Sequence, residues 1–512
     1  VPAAAPLGGP QARLAAPLAM PASVFPVPWS LPNPASRTAP GTRPAASAPR
    51  ARFPDAPALP TATLRRWPED GVAVAALSPS LCAALALPAA GALRLRAGRR
   101  IVWARLLPLG RPDAPDGVLC LSADLMRLLC LRDGMRLSVR REIARDGEVG
   151  LALGPFVGIL ARAPGPLLRP YLAAAADQGV AAFVFRGADV RWRDRTVVGW
   201  LLVGGRWRRG RCPLPDVVYD RTIGRWREER RGVLLARLRR WGTAVFNGPV
   251  GYKWHIHRLL AAHLPLQAHL PVTRRLRGAA DAQALLARFG GVFLKPERGF
   301  GGDGIVRVRA CGRGRFLLAT ADRSLKRWLD GRGLVRCLHR LARREPYLVQ
   351  QELDLARWRG RTFDVRVLML RDEQGRWQVA GTAVRVGAAG SIVSNLRRGG
   401  RAYDPHRVLA ESLVGGPIAA EACLAAVERV ALEAARAIGN ALPAVGELGV
   451  DIGVDRRGHP WLIEVNPKPG RKSFLREPGA VRRRVFGLPF RYACFLAGFS
   501  APADAVPQTT GL

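Results

Sequence analysis

The stretch GELGVDIGVDRRGHPWLIEVNPKPG, Gly446 to Gly470, constrains this chain more than any other. It reads as a strand, a tight turn at Arg457–Gly458 and a second strand. That turn sets Asp451 directly opposite Glu464, and directly opposed residues share a face of the sheet. Asn466, two residues beyond Glu464, lies on the same face. Two carboxylates and an amide carbonyl side by side repel unless a cation joins them, and such hard oxygen donors suit Mg2+ bridging phosphates. A merely solvated hairpin face fits less well, because WLIEV around Glu464 is otherwise apolar.

A second run, FLKPERGFGGDGIVRV from Phe293 to Val308, reads as a strand ending near Lys295, a loop with Gly299, Gly301, Gly302 and Gly304, and a return strand. Such a hairpin tip can aim backbone N–H groups at phosphates while the lysine adds a point charge. It is not a P-loop, since G-x-x-x-x-G-K-[ST] is absent and no helix follows. The glycines alone fit a plain β-turn equally well. Lysine usage adds weight: of 80 basic residues only Lys253, Lys295, Lys326, Lys468 and Lys472 are lysine. Where coding bias favours arginine, surviving lysines mark places where a compact ammonium cannot become a planar fork. Chance among so few residues is the competing reading, and Lys326, in SLKRWL, illustrates it.

A third region spans YLVQQELDL (347–355), GRTFDVRVLMLRD (360–372) and GTAVRVGAAGSIVSNLRRGG (381–400). Gln350, Gln351, Glu352 and Leu353 suit a linker between two lobes whose backbone could read an adenine edge. Asp364 and Arg366 alternate on a strand and face together, with Arg385 on the next strand. Asn395, Arg397 and Arg398 sit in a loop. Converging arginines near a triphosphate would stabilise charge on a transferred phosphoryl group. For any single arginine here, a solvated basic surface explains as much.

The formal net charge of +41 points either to affinity for a polyanion or to an arginine-favouring coding bias. Bias is the simpler account, because the arginines spread along the chain and form no basic arm. Nucleic-acid binding rests on charge alone. The eight cysteines show no C-x-x-C, which suits reduced thiols in a cytoplasmic setting and not a zinc site. No apolar run reaches the roughly 20 residues of a membrane span, and no secretory signal is visible.

Residues 1–60, with fifteen prolines and six charges, read as a disordered tail. Residues 61–153 hold a duplication: LSPSLCAALALPAAGALRL from Leu77 and LSADLMRLLCLRDGMRLSV from Leu121 align at an offset of 44. Each copy predicts a serine N-cap, a short helix, a turn and a strand, and two copies suggest a small β-barrel. Residues 154–249 predict an open α/β unit with strands at Phe156–Leu160, AAFVFRG and Asp216–Arg221.

In order, FLKP…GGDGI, VQQEL, DVRV, SNLRRGG, GVDI and IEVNPKPG resemble the motifs of the ATP-grasp superfamily. They are similar to those of ribosomal-protein glutamate ligases (RimK-like) and glutathione synthetases. GYKWHIHRLL and FDVRVLML look most like the YheC/YheD branch of endospore coat-associated proteins. The resemblance implies an α/β (α+β) ATP-grasp fold of two lobes over 250–490, behind the pre-ATP-grasp domain and the barrel, with 491–512 as a C-terminal tail. It implies ATP with Lys253 and Lys295 on its phosphates and Gly301, Gly302 and Gly304 above them. Gln351, Glu352 and Leu353 would line the adenine pocket. Asp451, Glu464 and Asn466 would hold two Mg2+, with Mn2+ a substitute. Such enzymes phosphorylate a carboxylate to an acyl phosphate that an amine attacks, and Arg366, Arg385, Asn395 and Arg398 would sit near that intermediate. Carboxylate and amine substrates, one of them an acidic peptide or polymer, are then the expected partners. A spore-coat-type scaffold that keeps the nucleotide-binding module is the alternative. Two departures matter: D-alanine ligases carry an arginine where Gly449 stands, and the glutamate ligases show a histidine where Arg397 stands.

Overall fold

The computed structural model describes residues 59–500 apart from 69–72, 89, 110–115, 145–146, 223–227, 300, 322–325, 476 and 478. Almost all of the expected N-terminal tail, and 501–512 of the C-terminal one, lie outside the described residues. The duplication builds a closed barrel of seven strands. Its copies superpose in the chain: Val74–Leu77 leads into a helix at Pro79, and Val118–Leu121 into a helix at Ala123, again 44 residues on. Leu77, Leu93, Leu95, Leu106 and Leu137 fill the interior, which is why leucine dominates both copies. Ser78 and Ser122 occupy the N-cap positions, but neither side chain caps its helix.

Next comes a seven-stranded sheet whose centre is parallel: Ala181–Phe185, Phe156–Leu160, Val217–Asp220 and Ala244–Phe246. One element here had no counterpart in the sequence reading, the hairpin of Thr196–Val203 and Arg206–Pro213. Its second strand, RWRRGRCP, looks too charged for a strand, yet an edge strand tolerates such residues because one side meets water.

Two further sheets form the lobes. The first runs in the order Thr273–Arg275, Tyr347–Gln351, Gly291–Pro296, Val306–Ala310, Phe316–Thr320, Lys326–Leu329. The second runs Arg401–Tyr403, Trp377–Val386, Arg361–Arg371, Glu447–Val454, Pro460–Asn466. A 26-residue helix, Gly416–Ala441, covers the second sheet. It buries Ala420, Leu424, Val427, Val430, Ala434 and Ile438, a three-to-four spacing that makes one apolar stripe. The last helix, Gly479–Ala497, corrects the boundary expected at 490: Phe486, Phe490, Tyr492 and Ala493 are buried in one continuous core stripe. Among the described residues, no helix is long and apolar enough to cross a membrane.

Candidate functional site

The hairpin of Glu447–Val454 and Pro460–Asn466 has Asp451 opposite Glu464, by a different route from the one expected. Its turn holds three residues, not two. Asp455 N–H donates to the His459 carbonyl at 3.1 Å, and Gly458 takes φ +86°, the left-handed conformation a three-residue hairpin needs. That alone would slip the register by one and turn the carboxylates apart. A bulge restores it: Asp451 pairs with Glu464, but Ile452 pairs with Leu462, leaving Ile463 extra. Ile463 and Glu464 consequently both line the cleft, an arrangement that bulges beside functional sites provide.

Asp451 lies in a buried quartet of charges spread over three strands. Arg366, opposite it on Arg361–Arg371, grips both its oxygens, the Nη2–Oδ2 distance being 2.9 Å. Arg385 Nη2 stands 2.9 Å from the same Oδ2, and its Nε donates to Asp364 Oδ1 at 2.7 Å. Ser394 Oγ donates to Asp364 Oδ2 at 2.6 Å, and Asn466 Nδ2 donates to Asp451 Oδ2 at 3.3 Å. Burial alone would push the Asp451 carboxyl up. Arg366 and Arg385 more than offset it, so the group stays ionised, below the usual carboxylate range. Arg385 is driven above its ordinary value in turn, its carboxylate neighbours outweighing desolvation.

Across the cleft, Lys253 begins the helix Lys253–Ala261. Its ammonium lies 3.1 Å from Glu464 Oε1 and also donates to the Gly299 carbonyl. Lys295 donates to Gln350 Oε1 at 2.5 Å. Desolvation, with Lys253 nearby, lowers its pKa to about 8 against the pull of Glu464 and Asp451. Gly301, Gly302 and Gly304 all have φ between +70° and +84°. At Gly304 a Cβ would meet Pro296 Cγ at 2.8 Å, so the loop accepts nothing larger there. Arg398 crosses from the opposite lobe to Asp303 at 2.6 Å and to the Ala321 carbonyl at 3.1 Å, tying the glycine loop to Asn395–Arg398. Between the lobes lies a cleft with about 1200 Å3 of open space, lined by Lys253, Lys295, Asp451 and Glu464 together with the apolar Phe293, Ile305, Leu353 and Ile463.

The model of the "YheC/D like ATP-grasp" family matches residues 242–496. Those residues belong to the YheC/D-like ATP-grasp family. The endospore coat-associated protein YheD of Bacillus subtilis (strain 168) is 27% identical over 369 residues, covering 67% of this chain and 79% of its own. The endospore coat-associated protein YheC of the same strain is 23% identical over 317 residues, covering 59% and 84%. A solved RimK domain protein ATP-grasp from Sphaerobacter thermophilus DSM 20745 is 20% identical, covering 65% of this chain and 98% of its own, with a TM-score of 0.37.

Within the ATP-grasp domain, Lys253, Lys295, Gly302, Gln351, Glu352, Leu353, Arg385, Asn395, Asp451 and Glu464 all line the one cleft. Asn466 and Arg366 reach it through Asp451. Three expected residues are otherwise engaged. The Gln351 side chain accepts from Val272 N–H at 3.2 Å, and Glu352 pairs with Arg309 at 2.7 Å at the rim. Asn395 Oδ1 accepts from Arg397 N–H at 2.9 Å, holding its own loop. Gln350 and Asp364 line the cleft as well, and so does Ser394, which the sequence gives no reason to single out. Gly449 also gains a reason: a Cβ there would meet Pro469 Cβ at 2.6 Å and Arg366 Nη1 at 3.3 Å. The guanidinium beside Asp451 comes from the neighbouring strand, so an arginine at 449 has no room. Among the described residues, no three His, Cys, Asp or Glu side chains cluster as a metal site. A set of two carboxylates and an amide is consistent with that.

Proposed function

We propose that this protein is an ATP- and Mg2+-dependent carboxylate–amine ligase working in the cytoplasm, with ATP and the two organic substrates as its partners. One observation carries the reading: opposed Asp451 and Glu464 face Lys253 and Lys295 across a single cleft, with Asn466 bonded to Asp451. The donor set fits Mg2+, since two carboxylates and an amide oxygen are hard ligands and no thiol or imidazole lines the cleft among the described residues. Asp451, Glu464 and Asn466 would hold it, and when bound it would neutralise phosphate oxygens. Lys253 and Arg366 now balance the same two carboxylates, so the face is built to meet positive charge.

Lys295 and Lys253 would bind phosphate oxygens, and the glycine loop would add backbone N–H donors above them. Phe293, Ile305, Leu353 and Ile463 would enclose a purine ring. Arg385 and Arg366, locked by Asp364 and Asp451, would present fixed positive charge where an acceptor carboxylate gains a phosphoryl group. In the proposed sequence a carboxylate oxygen takes the γ-phosphoryl group and ADP leaves. An amine nitrogen then attacks the acyl carbon, phosphate leaves and the amine proton passes to solvent.

A scaffold that merely keeps the fold is the second reading. It accounts poorly for Asp364, Arg366, Arg385 and Asp451, all at most 8% exposed. Burying four charges costs desolvation that apolar residues of similar volume would avoid. The test is incubation with ATP, Mg2+ and a pool of carboxylates and amines, reading nucleotide products and mass gain. ADP with phosphate release and a condensed product supports the ligase. AMP release, or no turnover with any acceptor, overturns it.

A further inference from the structure

Beyond Phe293, going away from Lys295, the cleft wall turns from apolar to charged: Arg307, Arg309, Glu352, Asp354 and Arg357 all line it. Strand alternation places them there. Val292, Leu294, Val306 and Val308 enter the core of the first lobe, so Phe293 and Lys295 face the cleft and Gly291 shares their side. Arg309 stands opposite Gly291 and Arg307 opposite Phe293, which puts both guanidinium groups on that face. Glu352 lies across Gly291, where a Cβ would meet its Oε2 at 2.1 Å. Gly291 has no positive φ, so its bareness makes room for the carboxylate and does not serve the backbone.

Arg307 differs from the other arginines that line the cleft. Arg309 bonds both Glu352 oxygens at 2.7 Å, Arg357 donates to the Gly360 carbonyl at 3.4 Å, and Arg385 is held by Asp364. Arg307 Nη1 stops 3.7 Å from Glu352 Oε1, too far for a hydrogen bond. Its side chain is only 14% exposed, yet it makes no hydrogen bond among the described residues. Burial lowers its pKa; Glu352 pulls the other way, and Arg309 and Arg357 add to the lowering. A charged donor thus stands beside a charged acceptor, next to the space enclosed by Phe293, Ile305, Leu353 and Ile463.

We propose that Arg307 and Glu352 read the edge of the nucleobase and admit guanine, Arg307 donating to its O6 and N7 and Glu352 accepting from its N1–H and N2–H. This rests on the proposed binding of a nucleotide in the cleft. Guanine carries the acceptor O6 next to the donor N1–H, the complement of a donor beside an acceptor. Adenine in the same seat turns its N6–H2 toward Arg307 and its bare N1 toward Glu352, two mismatches. It is held there by the apolar walls and the phosphates, without help from the base edge. Arginine suits the role better than lysine, because its planar fork meets O6 and N7 together.

The test is calorimetric titration of the full chain, with Mg2+, by ATP, GTP and ITP. GTP should bind at least as tightly as ATP. R307M should weaken GTP binding about tenfold or more and leave ATP within about twofold. ITP keeps O6 and N1–H but lacks the 2-amino group, so it should bind more weakly than GTP, a comparison that needs no variant. GTP binding tenfold or more weaker than ATP would overturn the proposal. So would equal losses of ATP and GTP in R307M, which would reduce Arg307 to bulk charge, or ITP binding as tightly as GTP. ATP bound with GTP refused sinks this inference alone, whereas neither nucleotide bound also removes the nucleotide reading of the cleft.

Discussion

Replacing Lys295 with methionine should strengthen the nucleotide-free protein and cripple nucleotide binding. Met keeps most of the side-chain length and removes the ammonium. Holding that ammonium deep in the cleft depresses its pKa from an ordinary 10.5 to about 8, mainly through desolvation. A displacement of that size corresponds to about 3 kcal/mol of cost to the charged form. The Lys295–Gln350 hydrogen bond, made by a charged group, returns about 1.5–3 kcal/mol, so Lys295→Met should gain at most about 1.5 kcal/mol below pH 8. The sign follows from proton counts: between about pH 8 and 10.5 the unfolded chain holds a proton here that the folded protein has released. Stability from this group therefore rises with pH through that window, and the variant's advantage fades across it. Phosphates would repay the cost in the unaltered protein. Loss of a charge-assisted hydrogen bond, about 1.5–3 kcal/mol, should weaken ATP binding tenfold or more. Denaturant unfolding without nucleotide, at pH 7 and pH 10, and calorimetric titration with ATP would measure both effects. A variant that is less stable without nucleotide and binds ATP unchanged would refute the reasoning.

Three other substitutions probe separate supports. Glu447 is fully buried and serves Tyr219 at 2.5 Å, Arg471 at 2.6 Å and Arg221, joining the α/β sheet to the second lobe. Glu447→Ala leaves buried guanidinium groups unpaired and should cost about 3–5 kcal/mol by denaturant unfolding. Gly449→Ala drives a Cβ into Pro469 and toward Arg366, and should cost about 1–3 kcal/mol in the same assay. Arg398→Ala cuts the tie to Asp303 and the glycine loop. It should raise the KM for ATP several-fold with stability within about 0.5 kcal/mol, as expected for an exposed pair.

The sequence made some of this visible because period-two alternation is strict. Asp451, Glu464 and Asn466 could be put on one face before any coordinates, and the apolar WLIEV argued that the face was not mere surface. The expected two-residue turn was wrong, yet the bulge at Ile463 cancelled it. Neither a third turn residue nor a bulge leaves a mark in a single sequence, since both depend on what packs above the strand. Asp364 and Arg366 were read together correctly. That Arg385 stands opposite Asp364 needed the register of two long strands. Gln350 and Gln351 both line the cleft, but which of them meets Lys295 depends on strand register, and it is Gln350. The helix through 497 is hard to read from sequence because Pro489 lies inside it, and a proline ordinarily ends or kinks a helix. Of the five lysines, two reach the cleft. Lys468 instead pairs with buried Asp220 at 2.8 Å, so scarcity of lysine marked constrained positions without saying which constraint applied.

The most direct test of the metal face is a crystal structure with a non-hydrolysable ATP analogue and Mn2+, read from the anomalous difference map. Manganese peaks coordinated by Asp451, Glu464 and Asn466, with Lys253 and Lys295 on the phosphates, are the predicted result. Manganese held by other residues, or nucleotide bound outside this cleft, would contradict the account.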